Sequence, residues 1–263
     1  MSETAQEPAV IVRREGAVAI VTLNEPRSMN ALSGPIKDGL AGQMPLLLDD
    51  QTVRCIVLTG TGRAFCAGGD IRAMDERGVT QVRARMERSY RWLFPLLAAS
   101  KPVVTAINGA AAGAGLSLAL TGDIIVAARD ARFKAGFPGL GACPDLGVAY
   151  TLPRAVGLPR ATDILLTNRE VSAEEAFAMG LVTRLVEPEQ LMATTLEIAQ
   201  ALAAGPTQSL GLTKRLLRRA YELPLEGFLE QEAMAQAAAF GTEDFAEGVA
   251  AFRAKRKPAF AGR

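Results

Sequence analysis

Histidine is absent from the 263-residue sequence. That absence excludes Ser–His–Asp and Cys–His triads within the chain, imidazole acid–base chemistry, and every zinc site with a histidine ligand. Cysteine is scarce: the three residues at 55, 66 and 143 form no CxxC and cannot all pair. Such usage fits a reducing, cytoplasmic setting. Net charge is nearly absent too, since 29 Lys and Arg against 28 Asp and Glu leave +1. A surface that neutral offers no global field for nucleic acid, so any anion site must be local. No long apolar run survives inspection. Residues 102–122 carry no charged side chain and hold a Gly109/Gly113 GxxxG pair, but Pro102, Asn108 and four glycines divide them. A spanning helix needs about 20 continuous apolar residues, so no membrane span is expected. The segment instead predicts a short buried strand, a glycine turn and a buried helix. The opening MSETAQEPAV has two glutamates and no apolar core, unlike a secretory signal.

What is present describes a globular chain, 49% apolar and 22% charged. At about 150 residues per domain, the length suggests one large domain or one with an appendage. Strands are expected at 18–23, 54–59, 103–107 and 123–128, with a helix broken at Gly42 and Pro45 after the first of them. Further helices are expected at 80–98, with Met86, Tyr90, Leu93 and Leu97 on one face, and at 113–120. Alternating strands and helices indicate an α/β fold with a largely parallel sheet. Beyond about residue 145 the pattern is helical at 158–166, 172–179, 189–204, 206–222, 225–240 and 244–255, interrupted by a strand at 181–186.

The glycine clusters match neither a Walker loop nor GxGxxG. Both Gly60–Gly69 and Gly113–Gly115 follow a buried strand and approach a helix start, where backbone N–H groups are unpaired and the dipole favours negative charge. Two such amides converging on one point would make an oxyanion hole without histidine, each donor contributing about 3–4 kcal/mol in the transition state. Glycines that merely permit close packing are the alternative, and spacing alone leaves both open.

Three motifs go further. Gly62-Arg-Ala-Phe-Cys-Ala-Gly-Gly-Asp70-Ile, Asn108-Gly-Ala-Ala-Ala-Gly-Ala-Gly115 with Asp123 downstream, and Phe252-Arg-Ala-Lys-Arg-Lys-Pro258 resemble the enoyl-CoA hydratase/isomerase (crotonase) family. The resemblance runs from about Val10 to the C-terminus. It implies a ββα spiral core over 1–200 and a helical C-terminal region over 201–263 that serves oligomerisation and CoA contacts. It also implies acyl-CoA thioester substrates, with coenzyme A entering as part of the substrate and no separate cofactor or metal, and a homotrimer or a dimer of trimers. By position, the oxyanion donors fall on the amides of Gly69 and Ala114. CoA would be held by main chain at Asn30, Ala31 and Leu32 and around Ile71, with Arg27 as a further phosphate contact. Phe252 and Lys255 resemble the pair that reaches the adenine and phosphate end from an adjacent subunit.

Departures from the family pattern bear on the reaction. Where a hydratase carries two glutamates, this sequence has Ser117 and Phe137, and neither can deprotonate water as a carboxylate can. Asp145, in Leu140-Gly-Ala-Cys-Pro-Asp-Leu-Gly147, stands where dienoyl-CoA and phenylacetate-pathway isomerases carry an aspartate. The Val148-Ala149 that follows differs from those relatives. The expectation is an acyl-CoA isomerase in which Asp145 carries the proton, its pKa raised in an apolar pocket beside Phe137. A hydratase, another acyl-CoA-processing enzyme of the family, and a catalytically silent acyl-CoA binder are the alternatives. A second reading makes Asp145 a helix N-cap. Asp70 and Asp123 read as turn braces, Cys66 and Cys143 as poor nucleophiles, and Arg83, Arg85, Arg88 and Arg91 as solvated charge. Tyr150 reads as core or as pocket lining.

Overall fold

The structure, a computed structural model, describes residues 7–75 and 78–263. An antiparallel hairpin opens it: β1 (Val10–Glu15) turns at Gly16, whose φ of +58° suits glycine, into β2 (Val18–Leu23). From there one unit repeats: a strand, a short second strand offset from it, and a helix. β2 is followed by Leu32, which bridges to Gly69, and by α1 (Gly34–Asp49). Next come β3 (Cys55–Gly60), β4 (Ala64–Cys66) and α2 (Val79–Ala98). The third unit is β5 (Val103–Ile107), β6 (Ala110–Ala112) and α3 (Ala114–Ala119). The fourth is β7 (Ile124–Ala128), β8 (Arg132–Lys134) and α4 (Val148–Val156). The chain continues through α5 (Leu158–Thr167), β9 (Glu170–Ser172), α6 (Ala173–Ala178) and β10 (Arg184–Val186). It ends in α7 (Leu191–Ala203), α8 (Thr207–Arg219), α9 (Leu225–Phe240) and α10 (Glu243–Arg253).

The first strands of the units line up as a sheet in the order β1-β2-β3-β5-β7-β10, and the second strands as β4-β6-β8-β9. This is the crotonase-type α/β spiral expected from the sequence. The inner long strands β2, β3, β5 and β7 are almost wholly apolar because both faces are covered, whereas the edge strand β1 ends in exposed Arg14 and Glu15. Ile56, Leu58, Val103 and Ile107 point into the larger core, while Cys55, Val57, Val104 and Ala106 meet Leu191, Ala199 and Ala203 of α7. Among the described residues no helix is long and apolar enough to cross a membrane.

Two expectations need correction. Gly42 and Pro45 do not break α1, which runs unbroken from its Ser33 cap with Ile36, Leu40, Met44 and Leu47 buried. Proline removes one ladder bond, and the burial of that apolar face outweighs it. The buried face of α2 is Ser89, Trp92, Leu93 and Leu96, whereas Tyr90 is exposed. β4, β6, β8 and β9 have three residues each, too few for a readable period. β1 was not expected, and α4 only as an unbounded helical run after Asp145.

Candidate active site

β4 and β6 are parallel neighbours, with Ala64 opposite Ala110 and Cys66 opposite Ala111. Three residues beyond Cys66 lies Gly69, and three beyond Ala111 lies Ala114. Adjacent strands are separated by about 4.8 Å, so the two chains leave the sheet side by side. Their close approach is fixed by glycine. Gly68 has φ +103°, and a Cβ there would lie 2.7 Å from the Ala112 carbonyl oxygen and 3.4 Å from the Ala114 nitrogen. A Cβ on Gly115 would collide with the Cys66 carbonyl. Gly113 takes φ +53° and its amide donates to the Lys134 carbonyl at 3.0 Å, which leaves Ala114 as the first residue of α3. Among the described residues neither the Gly69 nor the Ala114 amide donates a hydrogen bond. The first amides of a helix have no partner within it.

Both residues line a cavity of about 50 Å³ together with Asp145, Leu32, Lys37, Met74 and Arg85. Asp145 reaches it through a strained corner. Leu146 (φ +48°) and Gly147 (φ +82°) are consecutive left-handed residues, and the buried Leu146 side chain fastens the corner to the core. The Ser117 hydroxyl donates to the Asp145 carbonyl oxygen at 2.9 Å. The carboxylate itself does not cap α4: the cap is Gly147, with no side-chain hydrogen bond. Among the described residues Asp145 Oδ1 is buried and has no hydrogen-bond partner. Burial pushes the Asp145 carboxyl above the ordinary carboxylate range, and the positive charges of Lys37 and Arg85 only partly offset this. A carboxyl in that condition is a stronger base than one in water and, once protonated, keeps its proton to higher pH.

The other carboxylates near the glycine turns are engaged. Asp70 caps the short turn that follows it, accepts from the Arg72 amide and pairs with the Arg72 guanidinium. Asp123 accepts from the Val103 amide and pairs with Lys214 and Arg218. Both therefore brace the fold, as expected. Among the described residues no three His, Cys, Asp or Glu side chains are grouped to hold a metal.

The chain resembles known proteins over nearly its whole length. The enoyl-CoA hydratase/isomerase family model matches residues 13–263. The chain belongs to the enoyl-CoA hydratase/isomerase family. A 1,2-epoxyphenylacetyl-CoA isomerase of Escherichia coli is 41% identical, covering 95% of this chain and 97% of that protein. A probable enoyl-CoA hydratase of Rhodobacter capsulatus is 37% identical, covering 94% and 95%. Among solved structures, one described as a putative enoyl-CoA hydratase from Streptomyces coelicolor superposes with a TM-score of 0.92 at 35% identity, covering 100% of this chain and 98% of that one.

Within this family frame the remaining residues divide by exposure. Arg27, Ile71, Phe252 and Lys255 are exposed, with Phe252 at 85%. The buried Asn30 side chain has no capacity left for a ligand. Its Oδ1 accepts from the Glu25 amide, and its Nδ2 donates to the carbonyls of Thr61 and Ala64. The amides of Asn30, Ala31 and Leu32 donate to Glu25, Ser28 and Gly68, so any main-chain grip on a ligand there falls to carbonyl oxygens. Phe137 is buried in the core and does not line the Asp145 cavity. The apolar wall expected from it is instead supplied by Leu32, Met74, Met86 and Leu146. Ser117 is 2% exposed and its hydroxyl is committed to Asp145, so it orients the aspartate rather than a water. Tyr150 is neither core nor pocket: it is 47% exposed, bonded to Glu222 and covered by Arg154 at 3.4 Å.

Burial pushes the Cys66 thiol up to about 12, which fits its dismissal as a nucleophile. Arg83, Arg88 and Arg91 are exposed, but Arg85 is half-buried in the cavity wall. Sequence reading missed Lys37 and Arg85 as cavity residues. Each lies on an amphipathic helix, where polar residues at the boundary of the apolar face look the same whether they meet solvent or a cleft.

Proposed function

We propose that this chain is an acyl-CoA isomerase that moves a double bond through a thioester enolate. The amides of Gly69 and Ala114 donate to the thioester carbonyl oxygen, where negative charge develops. The Asp145 carboxylate removes a proton from the α- or γ-carbon, and the C–H electron pair enters the conjugated system ending at that oxygen. Protonated Asp145 then returns the proton at the other carbon as the carbonyl re-forms. One proton leaves and one returns, so no water or second carboxylate is consumed.

The observation that carries this reading is that, among the described residues, Asp145 Oδ1 is buried and unpartnered in one small cavity with two amides that donate no hydrogen bond. The name of the Escherichia coli relative agrees with it. Hydration by two carboxylates is disfavoured because Ser117 and Phe137 stand where hydratases carry glutamates, and because Ser117 is already bonded to Asp145.

CoA would extend from this cavity past Ile71 and Arg27, with Phe252 and Lys255 serving a neighbouring subunit of a homotrimer or a dimer of trimers. That assembly would cover α9, which buries no residue of its own, and the exposed Tyr221 and Phe252. Sedimentation at micromolar concentration tests it; a fully active monomer would refute it. The isomerase reading is tested by incubating enoyl- and dienoyl-CoA thioesters in deuterated water with wild type and Asp145→Asn. Wild type should introduce deuterium at the carbons that exchange, and the variant should bind thioester without exchange. Equal exchange by both proteins would require another base, and hydration without exchange would favour a hydratase.

A further inference from the structure

A cation shares the cavity with the reacting groups and has no role in the proton transfer described above. Lys37 lines the cavity alongside Gly69, Ala114 and Asp145. It projects from the first turns of α1, between the buried Ile36 and Leu40 positions that anchor this helix to the core. Its side chain is half-buried. Among the described residues its Nζ makes neither a hydrogen bond nor an ion pair, although an ammonium carries three donors. The nearby charges do not satisfy it. Asp70 is engaged with Arg72, Arg85 repels it, and Asp145 attracts it only through space. Burial pushes its ammonium below the ordinary lysine range. A partly desolvated cation without an acceptor is costly, and a hydrocarbon acyl chain would leave it so.

We propose that Lys37 selects acyl groups bearing an oxygen acceptor, either a carboxylate or a neutral oxygen, by donating to that oxygen from the wall of the cavity in which the thioester reacts. This rests on the reading of the cavity as the acyl-CoA site and adds the class of acyl group. The apolar residues Met74, Met86 and Leu146 accommodate the carbon chain, and Lys37 reads its substituent. A site built to hydrogen-bond a substituent rejects the analogue lacking it far more strongly than an apolar pocket rejects a missing methylene.

The test uses three β,γ-enoyl-CoA thioesters of matched length, ending in a methyl group, a carboxylate or a methyl ether. Wild type should favour at least one oxygenated thioester over the hydrocarbon by about tenfold or more in kcat/KM. Lys37→Met should shrink that ratio to about twofold, and Lys37→Arg, which keeps the cation, should retain part of it. Preference for the carboxylate alone identifies an anion partner, and preference for both identifies hydrogen bonding to oxygen in general; either supports the proposal. A wild-type ratio near one overturns it. So does an equal loss on all three substrates in Lys37→Met with a shifted pH profile, because Lys37 would then act only through Asp145. Circular dichroism melting of each variant checks the fold. If wild type fails to exchange deuterium into any of the three thioesters, the isomerase reading fails. Exchange without discrimination removes only the role of Lys37.

Discussion

Two aspartates held within the same spiral are treated in opposite ways. Asp123, just before β7, is surrounded by donors: the Val103 amide at 2.8 Å, Lys214 at 2.5 Å and Arg218 at 3.6 Å. Lys214 also donates to the Lys101 carbonyl at 3.0 Å. This cluster ties α8 to the edge of the β5–β7 pair. Asp145 lies beyond the small sheet with one carboxylate oxygen buried and, among the described residues, unpartnered. A satisfied charge holds elements together, whereas an unsatisfied buried one raises the energy of the folded state and is retained where a reaction uses it. The contrast separates a brace from a candidate base without reference to any relative.

The sharpest way to break the contrast is to neutralise each aspartate. Asp145→Asn should lower the rate of deuterium exchange by about 10²–10⁴-fold, the usual contribution of a positioned acid–base group. Thioester affinity, measured by calorimetry, should survive. Asp123→Asn should do the reverse. Steady-state activity at low temperature should persist, while urea unfolding reports a loss of about 2 kcal/mol, below the 3–5 typical of a fully buried pair because Asp123 is partly exposed. If Asp123→Asn abolishes activity in folded protein, the division of labour is wrong.

Displacing an amide should cost less than removing the base. Gly68→Ala places a methyl 2.7 Å from the Ala112 carbonyl oxygen and demands φ +103° of an alanine. The resulting shift of the Gly69 amide should reduce kcat by about 10²-fold, the penalty for a misplacement near 1 Å. Asn30→Ala tests a scaffold residue and should cost about 1–3 kcal/mol, since it strands the Glu25 amide and the Thr61 carbonyl and leaves the Ala64 carbonyl only its longer bond from Asn108.

The smallest effect concerns pH. Asp145, faced by Lys37 and Arg85, has its folded-state pKa raised above the unfolded value. Its stabilising contribution is therefore complete below the ordinary carboxylate pKa and is lost as pH rises through the raised value. Asp145→Asn should match wild type in acid and be more stable by about 1 kcal/mol at neutral pH, as read by melting temperature across the range. The kcat/KM of wild type should fall in the opposite direction, as acid protonates the base. A pH-independent stability difference would contradict the assignment of burial as the cause.

The inner long strands and most helices were legible because their patterns extend over five residues or more, as in β5 and α9, whereas β1 is apolar only in its first half. The three-residue strands of the small sheet were not, since the isolated pairing of Leu32 with Gly69 and the short β4 and β6 exist only through their neighbours. Gly69, Ala114 and Asp145 were named from motifs. The choice between Asp145 as cap and as free carboxylate could not be made from Pro-Asp before a helix, which suits either. It turned on where α4 begins: Leu146 and Gly147 intervene in left-handed conformations, so the carboxylate is carried past the helix end.

By itself, the sequence determined which chemistry was possible. Lacking histidine, it left main-chain amides and a carboxylate as the available machinery, and its glycines marked where amides could approach one another. Tertiary structure decided which of these groups remain uncommitted. Hydrogen-bond satisfaction depends on distance through space: the Val103 and Lys214 partners of Asp123 lie some 20 and 90 residues away along the chain, and no local pattern records that, among the described residues, Asp145 Oδ1 has none.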